Sequence, residues 1–495
     1  MVVVVPSPSI VWLTPEVIMV STKKKIDMTS GPLLGKILVF VFPLMITNLL
    51  QTLYNAADMI VVGYSSEPDA VGAIGTTGSF ISLLLNLFIG LSIGVTVVVA
   101  RHIGAREHER ANVALHTATV VSLISGLVGA AIGIVIARPV MNMMGNQGRL
   151  LDLSVRYCYI YFGALPFHAL SNCAIAIHRA KGDTRTPLIA LSGSGLFNIL
   201  LNFFFVKVVG LSVEGVAIAT GLAAAASAAA LFFNLMREQG PCHFSFKALR
   251  LDRSEASMIL RVGVPSGIQS ALFSVSNMLI QSSIIQVNNT LCDPNAAYQP
   301  IVKGNAAAAN LEGFAYTAVN AMQQAAVTFT SQNLGAGKPE RIKRVMGCSY
   351  ALAGAIGLFM TILLFGLQEP LLSLYQVRDS ATDALAHMAF EAGKTRFLYV
   401  IAPYFIISAM EVGSGTMRGL GRSMTSTVIC LLGACALRIV WVMTVFRALG
   451  TLESIYISYP VSWVLTGLAL FICSAVILRG LIHEKKAMKK QAVEQ

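Results

Sequence analysis

Residues 81–100 read ISLLLNLFIGLSIGVTVVVA, a stretch without a single charge, closed by Arg101. Eighteen or more such residues cross a hydrocarbon core of about 30 Å as one helix. Comparable runs recur over residues 36–478, and only 12% of the 495-residue chain is charged, against about 25% in ordinary soluble domains. Mean hydropathy is +0.70. A soluble globular protein is excluded. So is a membrane β-barrel, because the apolar runs are continuous and rich in Leu, Ile, Ala and Gly rather than alternating.

Working outward, runs bounded by charge or turn residues predict spans at 36–64, 70–100, 112–138, 154–178, 187–209, 213–237, 256–286, 304–332, 344–368, 394–418, 424–447 and 455–479. The reading is an all-α polytopic membrane protein of twelve transmembrane helices. With both termini cytoplasmic, 26 of the 36 Lys and Arg fall on the inner side, the bias of the positive-inside rule. The net charge of +12 is thereby read through topology and not as a sign of nucleic acid. This bookkeeping places Arg396 and Arg438 on the outer side or at outer helix ends.

The polar stretch 237–253 divides the spans six and six, so internal repetition is sought across it. Phe42-Pro43 matches Val264-Pro265 at an offset of 222, His102-Ile103-Gly104-Ala105 matches Asn333-Leu334-Gly335-Ala336 at 231, Pro139 matches Pro370 at 231, and Arg179 with Gly182 matches Arg418 with Gly421 at 239. Halves with an even number of helices insert in the same orientation, which makes the repeats parallel. The expected organisation is an extension at 1–27, a six-helix lobe at 28–237, a cytoplasmic linker at 238–254, a second six-helix lobe at 255–479 and a basic cytoplasmic tail at 480–495. Residues 1–20 are broken by Pro6, Pro8 and Pro15 and lack a basic start, a poor signal peptide. Met28 is an alternative start.

Charges inside bilayer helices cost about 2.5 to 3.5 kcal/mol on insertion scales and mark candidate sites. Asp58, Glu312 and Glu411 lie well inside predicted spans. Asn48, Gln51, Asn55 and Asp58 step by 3, 4 and 3 and share one helical face. Two readings of Asp58 stand: a cation or proton site, since burial favours the neutral, loaded form of an acid, or an interfacial acid close to the loop after Gly63. Glu312 opens a stripe with Tyr316, Asn320 and Gln323. Glu411 follows Tyr404 and Ser408, and either takes part in binding or only pairs towards Arg418. Ser194, Asn198 and Asn202 on helix five, with Ser266, Gln269, Ser270, Asn277 and Gln281 on helix seven, line a wet cavity or join helices by hydrogen bonds. The pairs Gly90/Gly94 and Gly415/Gly419 are read as close-packing contacts.

Other chemistries lack their residues. Gly335-Ala336-Gly337-Lys338 is followed by Pro339 where a phosphate-binding loop needs Ser or Thr, so no ATP engine or ATPase subunit is implied. There is no H-E-x-x-H, the eight His are dispersed, and the eight Cys have no C-x-x-C spacing. No cofactor, no metal ligand set and no enzyme is read.

Taken together, Gly31-Pro32-Leu33, Phe42-Pro43, Leu53-Tyr54-Asn55 with Asp58 and Val62-Gly63, His102-Ile103-Gly104-Ala105, His178-Arg179-Ala180-Lys181-Gly182-Asp183, Ser331-Gln332-Asn333-Leu334-Gly335-Ala336-Gly337 and Met417-Arg418-Gly419-Leu420-Gly421 resemble the multidrug and toxic compound extrusion (MATE) transporters of bacterial type. The resemblance covers residues 28–478. It implies two six-helix lobes around a V-shaped central cavity, and an antiporter in the bacterial inner membrane, working as a monomer, that exports small organic cations against inward H+ or Na+. It assigns ion coupling to Asp58, with Asn55, Asn172, Asn198 and Asn202 around it, and makes Glu312, Glu411, Gln269, Asn277 and Asn320 the candidates of the second lobe. Sodium is implied at Asp58 or Glu411. Proton-coupled members carry Asn-x-x-x-Asp on helix five, where this chain has Asn198-Ile199-Leu200-Leu201-Asn202, which removes the second carboxylate. The stretch 289–304 is longer than family loops at that place. A lipid-linked oligosaccharide flippase shares the superfold, but the apparent lack of several cavity Arg or Lys favours a cationic cargo.

Overall fold

The structure is a computed structural model that describes residues 26–63, 69–293 and 298–494. Every regular element among them is helical. The long elements are α1 (Leu33–Val62), α2 (Ala70–Ala105), α3 (His108–Met143), α4 (the pair Gly148–Gly163 and Leu165–Ala180), α5 (Arg185–Val208), α6 (Val213–Met236), α7 (Arg253–Leu291), α8 (Pro300–Gly335), α9 (Pro339–Gly366), α10 (Ala384–Gly419), α11 (Ser423–Leu449) and α12 (Leu452–Gln491), with short helices at Phe246–Ala248 and Gln368–Leu374 between them. Most of the extension expected at 1–27 lies outside the described residues, as does part of the stretch 289–304.

Two spans depart from the sequence reading. α4 is bent by 47° at Ala164, because Pro166 has no amide hydrogen to donate at the start of the second segment. α8 is 36 residues long but, alone among the twelve, is neither apolar enough by itself nor half of a bent pair that is. It carries Asn305, Asn310, Glu312, Asn320, Gln323 and Gln324.

Each half builds its own apolar core. Ile280, Ala308, Phe397, Tyr404 and Trp463 pack in the second half; Phe80, Phe162 and Val216 form one cluster of the first half, and Val95, Leu115 and Ile177 another. Arg179 and Arg418, matched by the repeat, each bury a guanidinium Nε without a hydrogen-bond partner. Gly182 and Gly421, matched as well, both take positive φ, 86° and 78°, a turn conformation that favours glycine.

The halves join at the end of the bundle that carries the connections after α2, α4, α6, α8 and α10, called here the terminal end. α2 crosses α7 and α8 with no room for a side chain. A Cβ on Gly90 would sit 2.2 Å from the Gly267 amide nitrogen, and one on Gly104 would sit 1.9 Å from the Gln332 carbonyl oxygen. Asn333, Lys338 and Arg341 donate to the carbonyls of Met28, Thr29, Ser30 and Gly31 ahead of α1. Gln332 reaches the Ala180 carbonyl at 2.7 Å. Phe40 meets Phe329 edge to face at 5.6 Å. Residues 321–333 of α8 are accordingly buried at every position but Gln324, whereas Asn310 and Tyr316 nearer its other end stay exposed.

Candidate functional site

The first-half site depends on a missing side chain. A Cβ on Gly195 of α5 would fall 2.0 Å from the Tyr54 ring, so glycine there lets Tyr54 lie flat on α5. Its hydroxyl points to the Ser192 carbonyl at 3.4 Å. One turn further along α1 the same approach carries Asp58 to Asn202, whose Nδ2 donates to the Asp58 Oδ1 at 2.5 Å. Asn202 also reaches the Asn198 Oδ1 at 3.3 Å, and Asn198 donates to the Thr220 Oγ1 at 3.4 Å. Thr220 of α6 lies within hydrogen-bond reach of Asp58 as well. Tyr157 and Tyr161 of α4 are buried near enough to feel its charge, and Tyr161 stacks on His168 at 5.2 Å. The site is a carboxylate in a bed of amides and hydroxyls, and the Asn202 Oδ1 is buried without a partner.

Of the residues singled out around Asp58, Asn198 and Asn202 are brought to it. Asn172 instead turns its amide to the His168 carbonyl of its own helix, at 3.0 Å. The side chain of Asn55 lies outside the described residues. Thr220, Tyr157 and Tyr161 were not singled out; the i, i+4 spacing of the two tyrosines is the signal that could have found them.

The second half is built differently. Glu312 on α8 accepts from Nη2 and Nε of Arg396 on α10, at 2.6 and 3.1 Å. Arg396 Nη1 donates to the Asn305 Oδ1 at 2.7 Å, which also accepts from the Tyr456 hydroxyl at 2.9 Å, while Asn305 donates to Gln281. Arg438 on α11 donates to the Ser462 hydroxyl at 2.9 Å and lies over the Tyr459 ring, 4.2 Å from its centre. Arg396 and Arg438 are each only 6% exposed. This corrects two expectations: neither arginine sits at an outer helix end, and Glu312 does have a buried cation beside it, with a second, Arg438, nearby. A charge count along the chain assigns such residues to interfaces because it cannot see a carboxylate or a tyrosine ring on another helix that makes burial tolerable.

Glu411 is buried, with Oε2 unpartnered. Arg418 is close enough for the two charges to interact, yet they form no ion pair. Gln269 is buried with Oε1 unpartnered. Asn320 donates to the Tyr316 hydroxyl and accepts from Gln324, and Asn277 is exposed. Among the described residues no three His, Cys, Asp or Glu cluster as a metal would need.

Outside the spans, Asp183 accepts from the His178 ring and from Thr186. Burial pushes its carboxyl up, but these bonds outweigh burial and hold it well below the usual carboxylate range. Lys181 beside it pairs with Glu238.

Residues 43–204 and 298–444, most of both halves, match the MatE family. The chain belongs to the MatE family. It is 26% identical over 445 residues to "Probable multidrug resistance protein YoeA" of Bacillus subtilis, covering 88% of this chain and 91% of that one. It is 23% identical over 416 residues to the "FAD transporter" of Shewanella oneidensis, covering 81% and 86%. A solved structure described as "Outward-facing conformation of a multidrug resistance MATE family transporter of the MOP superfamily" aligns with a TM-score of 0.82 at 21% identity over 94% of this chain and 100% of that one. This MatE-family chain is thus a multi-pass membrane transporter with the twelve-helix, two-lobe fold of its relatives.

Proposed function

We propose that this transporter exports organic compounds by antiport against inward H+ or Na+, with Asp58 as the coupling carboxylate. The observation that supports it is the setting of Asp58: a carboxylate whose hydrogen-bond partners are amide and hydroxyl groups, with no basic side chain among them, beside an unpartnered Asn202 oxygen. Oxygen donors of this kind suit a proton or a hard cation. A loaded Asp58 is neutral and can move through a low-dielectric lobe, whereas an empty one attracts a positively charged cargo. Competition for one charge is what makes exchange obligatory. At 100 mV each charge moved inward supplies about 2.3 kcal/mol.

A second reading is a cargo with an anionic group, a lipid-linked pyrophosphate included. Arg438 supports it, because it is buried and its hydrogen bond goes to a serine, not a carboxylate. Uptake of a fluorescent organic cation into inverted vesicles, under imposed proton and, separately, sodium gradients, decides between them. The first reading expects gradient-driven uptake that Asp58→Asn abolishes. Uptake that survives Asp58→Asn removes that carboxylate from coupling, and absence of any cation movement favours the second reading.

A further inference from the structure

α7 belongs to both halves. Its first turns are fastened to the first half: Ile259 packs in the cluster with Val95, Leu115 and Ile177, and the linker before it is tied to α3 by Thr117 and His116. From Val262 onward it is fastened to α11 of the second half, where Ser423 donates to the Val262 carbonyl, Thr427 to the Pro265 carbonyl, and Ser266 meets Ser423 at 2.9 Å. Pro265 lies inside the helix, in a stretch where α7 touches α2 at Gly263 and Gly267 and α11 at Val262, Pro265 and Ser266. Rocking of one half against the other therefore strains the contacts that α7 makes with α2, its first turn included, or those it makes with α11.

That first turn is held by an arrangement the transport reading does not use. His102, near the end of α2 and 5% exposed, has both ring nitrogens on carboxylates: Nδ1 lies 2.8 Å from the Glu107 Oε2 and Nε2 lies 3.1 Å from the Glu255 Oε2. Carboxylate oxygens only accept, so both contacts are hydrogen bonds only when both nitrogens carry a proton. A neutral imidazole donates one and turns a lone pair on the other acid. Glu107 and Glu255 are the charges that act on the ring. Of the other titratable groups nearby, Arg101 and Arg106 on α2 and Glu109 and Arg110 on α3 are exposed; Asp252 is occupied by the amides of Ser254 and Glu255, and His116 by Asn112 and Ser245. α8 contributes only uncharged groups there, Gln332 against Gly104.

We propose that His102 is a proton-binding clasp: protonated, it locks the first turn of α7 to α2; neutral, it releases that turn, one of several ties at the terminal end. The clasp is independent of which ion Asp58 couples.

The test is hydrogen exchange on the whole transporter in nanodiscs, following amides 99–105 and 255–262 after correction for the intrinsic pH dependence. Wild type is expected to lose protection at least about tenfold between about pH 5 and pH 9, as one charge-assisted hydrogen bond is lost. His102→Gln, which never charges, is expected to give a flat profile at the unprotected level, and Glu255→Gln a shallower slope than wild type. A merely structural histidine would lower protection equally at every pH when replaced. A flat wild-type profile, or a His102→Gln profile with the wild-type slope, overturns the proposal. If His102→Gln does not fold, the wild-type and Glu255→Gln profiles decide, since equal slopes in those two also overturn it. No transport is needed, so failure of the antiport reading leaves this result standing.

Discussion

The two halves share a six-helix plan, and they treat the carboxylates of Asp58 and Glu312 in opposite ways. In the first, Asp58 rests on amides and hydroxyls that satisfy it without fixing its charge. In the second, Glu312 is gripped by Arg396, with Arg438 close behind. The first arrangement leaves an acid free to change state; the second makes the acid part of the framework. The halves share the turn at Gly182 and Gly421, yet their carboxylates have different partners.

The most drastic way to break this contrast is Arg396→Met, which strands Glu312 inside the second half. It should cost about 3–5 kcal/mol, the penalty for removing one partner of a buried pair, seen as a lowered unfolding midpoint. Adding Glu312→Gln should recover much of that loss, and a single variant as stable as wild type would show that the pair is not structural. Gly104→Val tests the joint instead of either half. Its Cβ would press on the Gln332 carbonyl, and overpacking of this kind costs about 1–3 kcal/mol, together with a loss of protection at the terminal end in hydrogen exchange. Asp58→Asn sharpens the contrast from the other side: the midpoint should stay within about 1 kcal/mol of wild type, because a surviving hydrogen bond is worth about that much, while driven transport disappears. A large loss of stability there would make Asp58 framework too.

The smallest effect is one of pH. Asp183 sits in the turn after α4, and Arg422 follows the matching Gly421 in the second half. Since the Asp183 carboxyl is held below its ordinary value, its contribution is fully present above the ordinary carboxylate range and is lost only as pH falls through its lowered value. Exchange at residues 180–185 should therefore be unchanged from neutral pH down to about pH 4 and rise only below that. The turn at 419–423 should show no such acid step.

Much of this was legible in the sequence. The apolar runs placed the spans because the bilayer sets their length, and the repeat anchors found the division because Gly182 and Gly421 need the same turn. The stepping of Asn198 and Asn202 put them on one face. That this face meets Asp58 depends on Gly195 accepting Tyr54, a contact between distant positions that no periodicity reveals. The arginines were misplaced for the same reason: Glu312 and Arg396 are 84 residues apart, and their pairing exists only in three dimensions. Asn172 looked equivalent to its neighbours until the direction of its side chain was known.

The polarity of α8 bears on how the chain is made. A segment with so many amides and a glutamate gains too little from lipid to leave an insertion machine alone, so it must wait for a neighbour to shield it. When fused singly to a reporter, α8 should fail to integrate into membranes, and extending the fusion to include α7 and α9 should rescue it. α7 to α9 would then enter the bilayer as a group, whereas the other spans are apolar enough to enter as they emerge, except for the bent α4.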